Sequence, residues 1–423
     1  MPDKARIFRP AASWLPGGGR YDFVDLAFLG ALLVVWALSE AKAIQSIASG
    51  LVVLGALGHG WRQGWQWRQR WALWLVIPFG LSLVAGPFTS TTSLWWRDLW
   101  QKLPFLALGL SLAVLPPFRP RQYQWVWGGF VVIQSLVALL TLGRFFGNYA
   151  AAMEAVRQNA EIDIVGSISH IYFGILLALS VFLGGWLAWQ EKGTWLGRVM
   201  LGLSLFNAAA LHMLTSRTGL LAFYLALMGT GAVLVYRRRA WRLGLGLMLL
   251  MAGGLSLSYW TIPSFRTRVQ VTFWDLQGYR YRDRDLSHHS ATLRLLAWET
   301  AVSYIAAHPW GVTGIAELEP TLRAAYRDRP LPVAAEALPG NPHNQYLEYG
   351  IAFGLWGMAL LVLMCLLPVW SGPRPPHLLT ISFLILIMGG MLTESLLERQ
   401  AGMYTLIFFM ALLPGYQQAQ SSI

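Results

Sequence analysis

The chain has 423 residues, of which 56% are hydrophobic and only 12% charged, with mean hydropathy +0.48 and 22 tryptophans. That balance excludes a water-soluble globule and predicts an all-α, polytopic integral membrane protein. The net charge of +12 and pI of about 10.0 do not call for a nucleic-acid partner, because membrane topology accounts for most of the excess.

A helix needs roughly 20 apolar residues to cross a hydrocarbon core of about 30 Å. Twelve segments meet that length, centred near Leu32, Leu51, Phe79, Leu108, Val132, Leu177, Leu205, Leu225, Leu249, Met358, Leu384 and Phe408. The first apolar run starts at Phe23, after the Pro/Gly-rich stretch Pro16 to Gly19, and ends at Ser39-Glu40-Ala41-Lys42. No small-residue cleavage site follows, so it is expected to be a retained first span. Cys365, the single cysteine, lies in the apolar run after Met358, where a packing role is expected; no intrachain disulfide can form.

Basic residues orient the bundle, since Lys and Arg in short loops stay cytoplasmic. Arg62, Arg68 and Arg70; Arg119 and Arg121; Lys192 and Arg198; Arg237, Arg238, Arg239 and Arg242; and Arg374 all fall on the side of Lys4, Arg6, Arg9 and Arg20. Both termini are therefore expected in the cytoplasm. The short loops near Glu40, Trp95, Thr215 to Gly219 and Glu398, the segment Gly147 to Ser169 and one long polar stretch are expected outside, which in a bacterial inner membrane is the periplasmic face.

The long stretch, Thr261 to Gln345, carries nine arginines and no lysine on the side where basic residues are scarce. Its acids, Asp275, Asp283, Asp285, Glu299, Glu317, Glu319, Asp328 and Glu336, nearly balance them. The part from Arg266 to Arg294 is unbalanced, with six arginines against three acids. Arginine makes planar, bidentate contacts to phosphate oxygens; an anionic lipid or phosphate ligand and an internally paired surface both fit. Leu295, Trp298, Val302 and Ile305 predict an amphipathic helix from about Ala291 to Ala307, ended by His308-Pro309, and a weaker one runs from Pro320 to Arg327. The organisation expected is thus spans one to nine in 1–260, a helical periplasmic subdomain in 261–345, and spans ten to twelve in 346–423.

Three places carry possible chemistry. Asn341 as N-cap and Pro342 as first helical residue would put His343 in the opening turn of the span near Met358, where a helix dipole disfavours the imidazolium and a neutral general base is available. A histidine that only bonds a loop explains the position equally. Thr215-Ser216-Arg217-Thr218-Gly219 forces Arg217 to the outer membrane surface, unless it simply snorkels at a helix C-terminus. Arg294 would stand in the first turn of the amphipathic helix, a place suited to phosphate, although most such arginines are solvated. Span arithmetic brings all three to one face.

Together these motifs resemble the O-antigen ligase and polymerase superfamily: Ser-Arg-Thr-Gly at a span end, Arg-Leu-Leu-x-Trp-Glu-x-Ala and His-Pro-Trp-Gly-Val-Thr-Gly in a long external loop, then His-Asn-Gln-Tyr-Leu-Glu-Tyr-Gly-Ile opening a span. The resemblance is densest over Thr215 to Gly357. It implies a GT-C type glycosyltransferase with a periplasmic active site, using an O-antigen carried on undecaprenyl diphosphate as donor and, for ligases, a sugar hydroxyl of the lipid A-core as acceptor. Residue by residue, it implies His343 as the base that takes the acceptor proton, with Arg217 and Arg294 holding the diphosphate through a single inverting displacement. Arg266, Arg268, Arg280, Arg282, Arg284 and Asn344 are looser substrate-binding candidates. No cofactor and no metal are expected, since two arginines can replace the divalent ion.

The remaining features point elsewhere only weakly. Asp283-Arg284-Asp285 spells Asp-x-Asp, but neighbouring Arg282 and Arg284 are its expected partners. His288-His289 lacks an obvious third ligand for zinc. Trp95, Trp96 and Trp100, in a short external loop, are expected in an interfacial belt, as are Tyr346 and Tyr349. A polymerase using a second lipid-linked glycan is the alternative within the superfamily. A flippase or exporter is the alternative outside it, and would place charges inside its spans, whereas Asp25, His170, His212 and Glu394 lie near predicted ends.

Overall fold

A computed structural model describes residues 22–39, 41–166, 168–281 and 290–421. Lys4, Arg6, Arg9, Arg20, Glu40, Arg282, Asp283, Arg284, Asp285, His288 and His289, with the expectations attached to them, lie outside the described residues. Helices α1 (Phe23–Trp36) and α2 (Lys42–Gln63) form a hairpin. A 3-10 turn, α3 (Ile77–Val84) and a second 3-10 turn make up residues 70–88. Next come α4 (Thr92–Val114), α5 (Pro120–Gly147), the short α6 (Tyr149–Arg157), α7 (His170–Gln190), α8 (Trp195–Leu214), α9 (Arg217–Arg238) and α10 (Trp241–Thr261). The connecting stretch holds α11 (Pro263–Tyr281), α12 (Ser290–Ala307) and α13 (Leu318–Arg327), and the chain ends with α14 (Gln345–Ser371), α15 (Leu378–Met391) and α16 (Gln400–Ser421). No strand occurs among the described residues.

Every one of the twelve expected span centres falls in a helix. Among the described residues, eight segments are long and apolar enough to cross a membrane: α2, residues 70–88, α5, α7, α8, α9, residues 244–261 and α14. Helices α1 and α15 are apolar but only 14 residues each. Helices α4 and α16 carry the other two centres.

Helix α16 occupies the middle of the bundle and is buried almost throughout. Aromatic side chains lock it in place. Tyr416 meets Trp127 edge-on at 4.5 Å, Phe409 meets Phe130 at 5.5 Å, and Trp71 Nε1 donates to the Ala411 carbonyl at 3.2 Å. Lipid tails are as apolar as leucine, so helices associate by close packing and hydrogen bonds rather than by transfer from water. The crossing of α7 and α9 shows this: a Cβ on Gly219 would lie 2.6 Å from the Gly174 carbonyl carbon, so only glycine permits the approach. Helix α10, by contrast, stands at the perimeter with almost no buried residue.

A second, smaller core lies beyond the spans. Leu296, Ala297, Ala301 and Ile305 of α12 pack with Leu318, Leu322 and Tyr326 of α13, Leu338, and Ile351 of α14. Burial of this kind removes apolar area at roughly 25 cal/mol per Å², enough to fix short helices that could not stand alone. Gly354, at φ 68°, breaks α14. The freed backbone groups are taken up by the incoming loop: Leu355 N–H donates to the Pro309 carbonyl at 2.8 Å, and the Ala352 carbonyl accepts from Thr313 and Gly314 at 2.9 Å each.

Several expectations need correction. Helices α12 and α13 begin one and two residues earlier than their patterns suggested, and α6 and α11 were not expected. Helix α11 is hidden from a hydrophobicity pattern because its inward face is polar, carrying Ser264, Arg268 and Asp275. Trp95, Trp96 and Trp100 stand in the first turns of α4 rather than in a loop; Trp95 Nε1 donates to the Ser82 carbonyl at 2.8 Å, while Trp96 and Trp100 are exposed. Charges also enter the bundle. Asp98 and Lys102 of α4 and Glu348 of α14 are buried.

Candidate active site

Arg217 is set by the short link between α8 and α9. Thr215, in the left-handed region at φ 57°, reverses the chain; Ser216 caps α9, its hydroxyl accepting from Gly219 N–H at 3.3 Å. The link is strapped from three sides. His170 Nε2 donates to the Leu214 carbonyl at 2.6 Å, the Ser264 hydroxyl to Met213 at 2.7 Å, and Arg268 Nε to the Thr215 hydroxyl at 3.4 Å. Arg217 is therefore the first residue of α9, at the positive end of its dipole rather than at a helix C-terminus. A cation there is disfavoured unless anions surround it.

The anion is Asp275, on the buried face of α11. Its Oδ2 lies 3.8 Å from Arg217 Nη1 and accepts from Asn159 Nδ2 at 2.7 Å and from Ala291 N–H at 3.3 Å. Asn159 Oδ1 in turn accepts from Arg217 and, at 3.1 Å, from Arg268 Nη1, while Arg268 Nη2 donates to the Ala160 carbonyl at 3.1 Å. Arg268 is 6% exposed. Burial, with Arg217 alongside, pulls its guanidinium down to about 10, so it remains a cation at neutral pH. Asn159 stands in the left-handed region at φ 64°, which asparagine tolerates better than most residues.

His343 arrives from the other side, and not as expected. It precedes α14 instead of opening it: Asn344 is the N-cap, its Oδ1 accepting from Tyr346 at 3.0 Å and Leu347 at 3.1 Å. His343 adopts φ 45°, with its N–H donating to Asn341 Oδ1 at 3.1 Å. Asn341-Pro342 thus make the turn before the helix, and the helix dipole argument for His343 lapses. Its ring is oriented by Glu394 instead. Nδ1 lies 3.2 Å from Glu394 Oε1; an ionised carboxylate can only accept, so Nδ1 donates to it and Nε2 is the ring nitrogen turned away from Glu394.

Glu394 also reaches Arg294, whose Nη2 lies 3.8 Å from Oε2 and whose Nη1 donates to the Thr393 carbonyl at 3.4 Å. Arg294 sits in the second turn of α12, not the first, so it does not share the helix-end amides. The Thr393 hydroxyl donates to the Thr218 hydroxyl at 3.1 Å, joining this group to the Arg217 end of α9, and the Arg217 and Arg294 charges are near enough to repel each other. The structure thus brings Arg217, Arg268, Arg294 and His343 together. Two buried polar atoms here, Arg217 Nε and Glu394 Oε2, have no hydrogen-bond partner among the described residues. Such atoms are costly without a ligand.

His343 further lines a polar cavity of about 740 Å³ walled by Arg97, Asp98 and Gln101 of α4, Glu319 and Arg323 of α13, Glu348, Glu398 and Arg399. Arg266 and Arg280 are exposed on the face of α11 opposite Arg268 and Asp275, away from this group. Asn344 spends its side chain on structure, capping α14 and donating from Nδ2 to the Leu392 carbonyl at 2.9 Å. No group of three or more His, Cys, Asp or Glu suited to a metal ion occurs among the described residues.

Sequence reasoning missed Glu394, Asp275 and Asn159 as members of the site. For Glu394 a signal existed: a lone acid directly after an apolar run, on the face where span arithmetic puts His343. Asn159 gave none. No curated protein matches the chain. Residues 202–362 match the family model described as Wzy_C, O-Antigen ligase, a stretch that includes Arg217, Arg268, Arg294 and His343 and stops short of Glu394. Members of that family are glycosyltransferase-like enzymes acting on lipid-linked glycans in the membrane. Over this stretch the chain is similar to the O-antigen ligase family.

Proposed function

We propose that the protein is an O-antigen ligase that transfers a glycan from undecaprenyl diphosphate to a sugar hydroxyl of the lipid A-core, with inversion and without a metal. The observation that carries this reading is the Glu394 carboxylate between His343 and Arg294, with His343 facing a roomy polar cavity. The acceptor hydroxyl enters from the cavity and gives its proton to His343 Nε2 as its oxygen attacks the anomeric carbon. Glu394 holds the ring and balances the imidazolium that forms. Arg294 and Arg217 hold the diphosphate and offset the charge that grows on it as the glycosidic bond breaks. Arg268, already satisfied, fixes Arg217.

The orientation proposed is the one that the basic loops dictate: both termini cytoplasmic and the site at the periplasmic face of a bacterial inner membrane. Asp98, Lys102 and Glu348 do not favour an exporter. Asp98 and Glu348 line the cavity beside His343, and Lys102 pairs with Glu398 at the same place, so they gather at the site rather than along a path through the bundle.

The test is transfer by purified protein supplied with undecaprenyl-diphosphate glycan and lipid A-core in EDTA. Wild type should modify the core, and His343→Ala should lower the rate about 10³-fold with donor binding retained. Longer lipid-linked glycans with an unmodified core would make the protein a polymerase. Lipid translocation that survives His343→Ala and needs no acceptor would sink the enzyme reading.

A further inference from the structure

Residues 392–399, between α15 and α16, carry Glu394 on a link too short to fold alone. Neighbouring elements hold it instead. Tyr172 OH donates to the Ser395 carbonyl at 3.0 Å, and Leu397 N–H donates to Gln345 Oε1 at 2.6 Å. The firmest strap is Lys102, fully buried in α4: its ammonium donates to the Leu397 carbonyl at 2.8 Å and to Glu398 Oε1 at 2.5 Å. A charge inside a membrane bundle is retained where it has a task and a partner. Both hydrogen bonds of the Lys102 ammonium go to the link that bears Glu394, at the 3-10 turn Leu396–Glu398.

We propose that Lys102 is a positioning residue for the transfer reaction: by pinning Leu397 and Glu398 it sets the Glu394 carboxylate against His343 and Arg294. This rests on the reading of the site given above. A misplacement of about 1 Å in such a group costs on the order of 10²-fold in rate. Lys102 touches neither substrate, so its loss acts on turnover and leaves donor binding alone.

The experiment is steady-state transfer in liposomes with undecaprenyl-diphosphate glycan and lipid A-core, using the paired replacement Lys102→Met with Glu398→Gln, which removes both charges of the ion pair together. Its kcat should fall at least about tenfold with donor KM unchanged. Lys102→Arg, able to reach the same carbonyl and carboxylate, should recover most of the rate. Wild-type kcat in the paired variant overturns the proposal, as does a loss of rate that Lys102→Arg shares in full. If the paired variant does not fold, Gln345→Met releases the same link at Leu397 without moving a charge; the same kcat loss supports the strap, and wild-type kcat overturns it. A wild-type protein that transfers no glycan would instead be a failure of the functional reading.

Discussion

Arg268 and Arg294 come from successive helices of the same connecting stretch and are held in opposite ways. Arg268 is buried, and all three guanidinium nitrogens donate to protein oxygens at 3.1–3.4 Å. Arg294 has a side chain 25% exposed, and its contacts are long, 3.4 Å to a carbonyl and 3.8 Å to Glu394. A guanidinium whose donors are spent on the protein has little left for a phosphate. The difference teaches that arginine count on this face overstates the binding capacity: Arg268 is spent on holding the fold, and on the proposed reading Arg294 is the one that meets the donor.

The sharpest way to break that comparison is Glu394→Gln. It keeps size while removing the charge that orients His343 and faces Arg294, and kcat should fall about 10²–10³-fold in steady-state transfer with little change in donor KM. A wild-type rate would mean that the loosely held half does no chemistry. Asp275→Ala attacks the other half. It strips the counter-charge from Arg217 and Arg268, and thermal unfolding in detergent should show a loss of about 3–5 kcal/mol, with fold stability reporting before activity.

Arg294→Lys sharpens the contrast. Loss of planar, bidentate contact should lower kcat/KM about 10–100-fold while the unfolding midpoint stays put, whereas Arg268→Lys should move the midpoint. If Arg268→Lys instead weakens donor binding with the fold intact, the buried arginine is a ligand after all. Smallest of all, Arg266→Gln and Arg280→Gln, on the exposed face of α11, should leave transfer within about twofold of wild type.

Hydropathy made the spans legible, because a lipid-crossing helix must be apolar over its length whatever it packs against. The twelve centres landed in helices for that reason. Helix α12 was legible through Leu295, Trp298, Val302 and Ile305, since water on one side and a core on the other leave a helical period. Helix α11 was not, because Arg268 and Asp275 face inward and satisfy each other's surroundings through Asn159. The backbone at His343 was misread for a related reason: Asn341 and Asn344 are both good caps, and only the packing of residues 392–399 against Asn344 selects the second.

By itself the sequence determined the membrane class and the approximate helices, and it singled out Arg217, Arg294 and His343 as candidates, because residue chemistry and hydropathy act locally. Tertiary structure decided which charges those residues meet. Asn159, Asp275 and Glu394 are separated from their partners by 58, 16 and 51 residues in hydrogen bonds that no local pattern encodes. It also decided that Lys102 and Glu398, 296 residues apart, form the buried pair that pins the last of them. Such pairs form only when the bundle closes and removes the water that would otherwise solvate each charge.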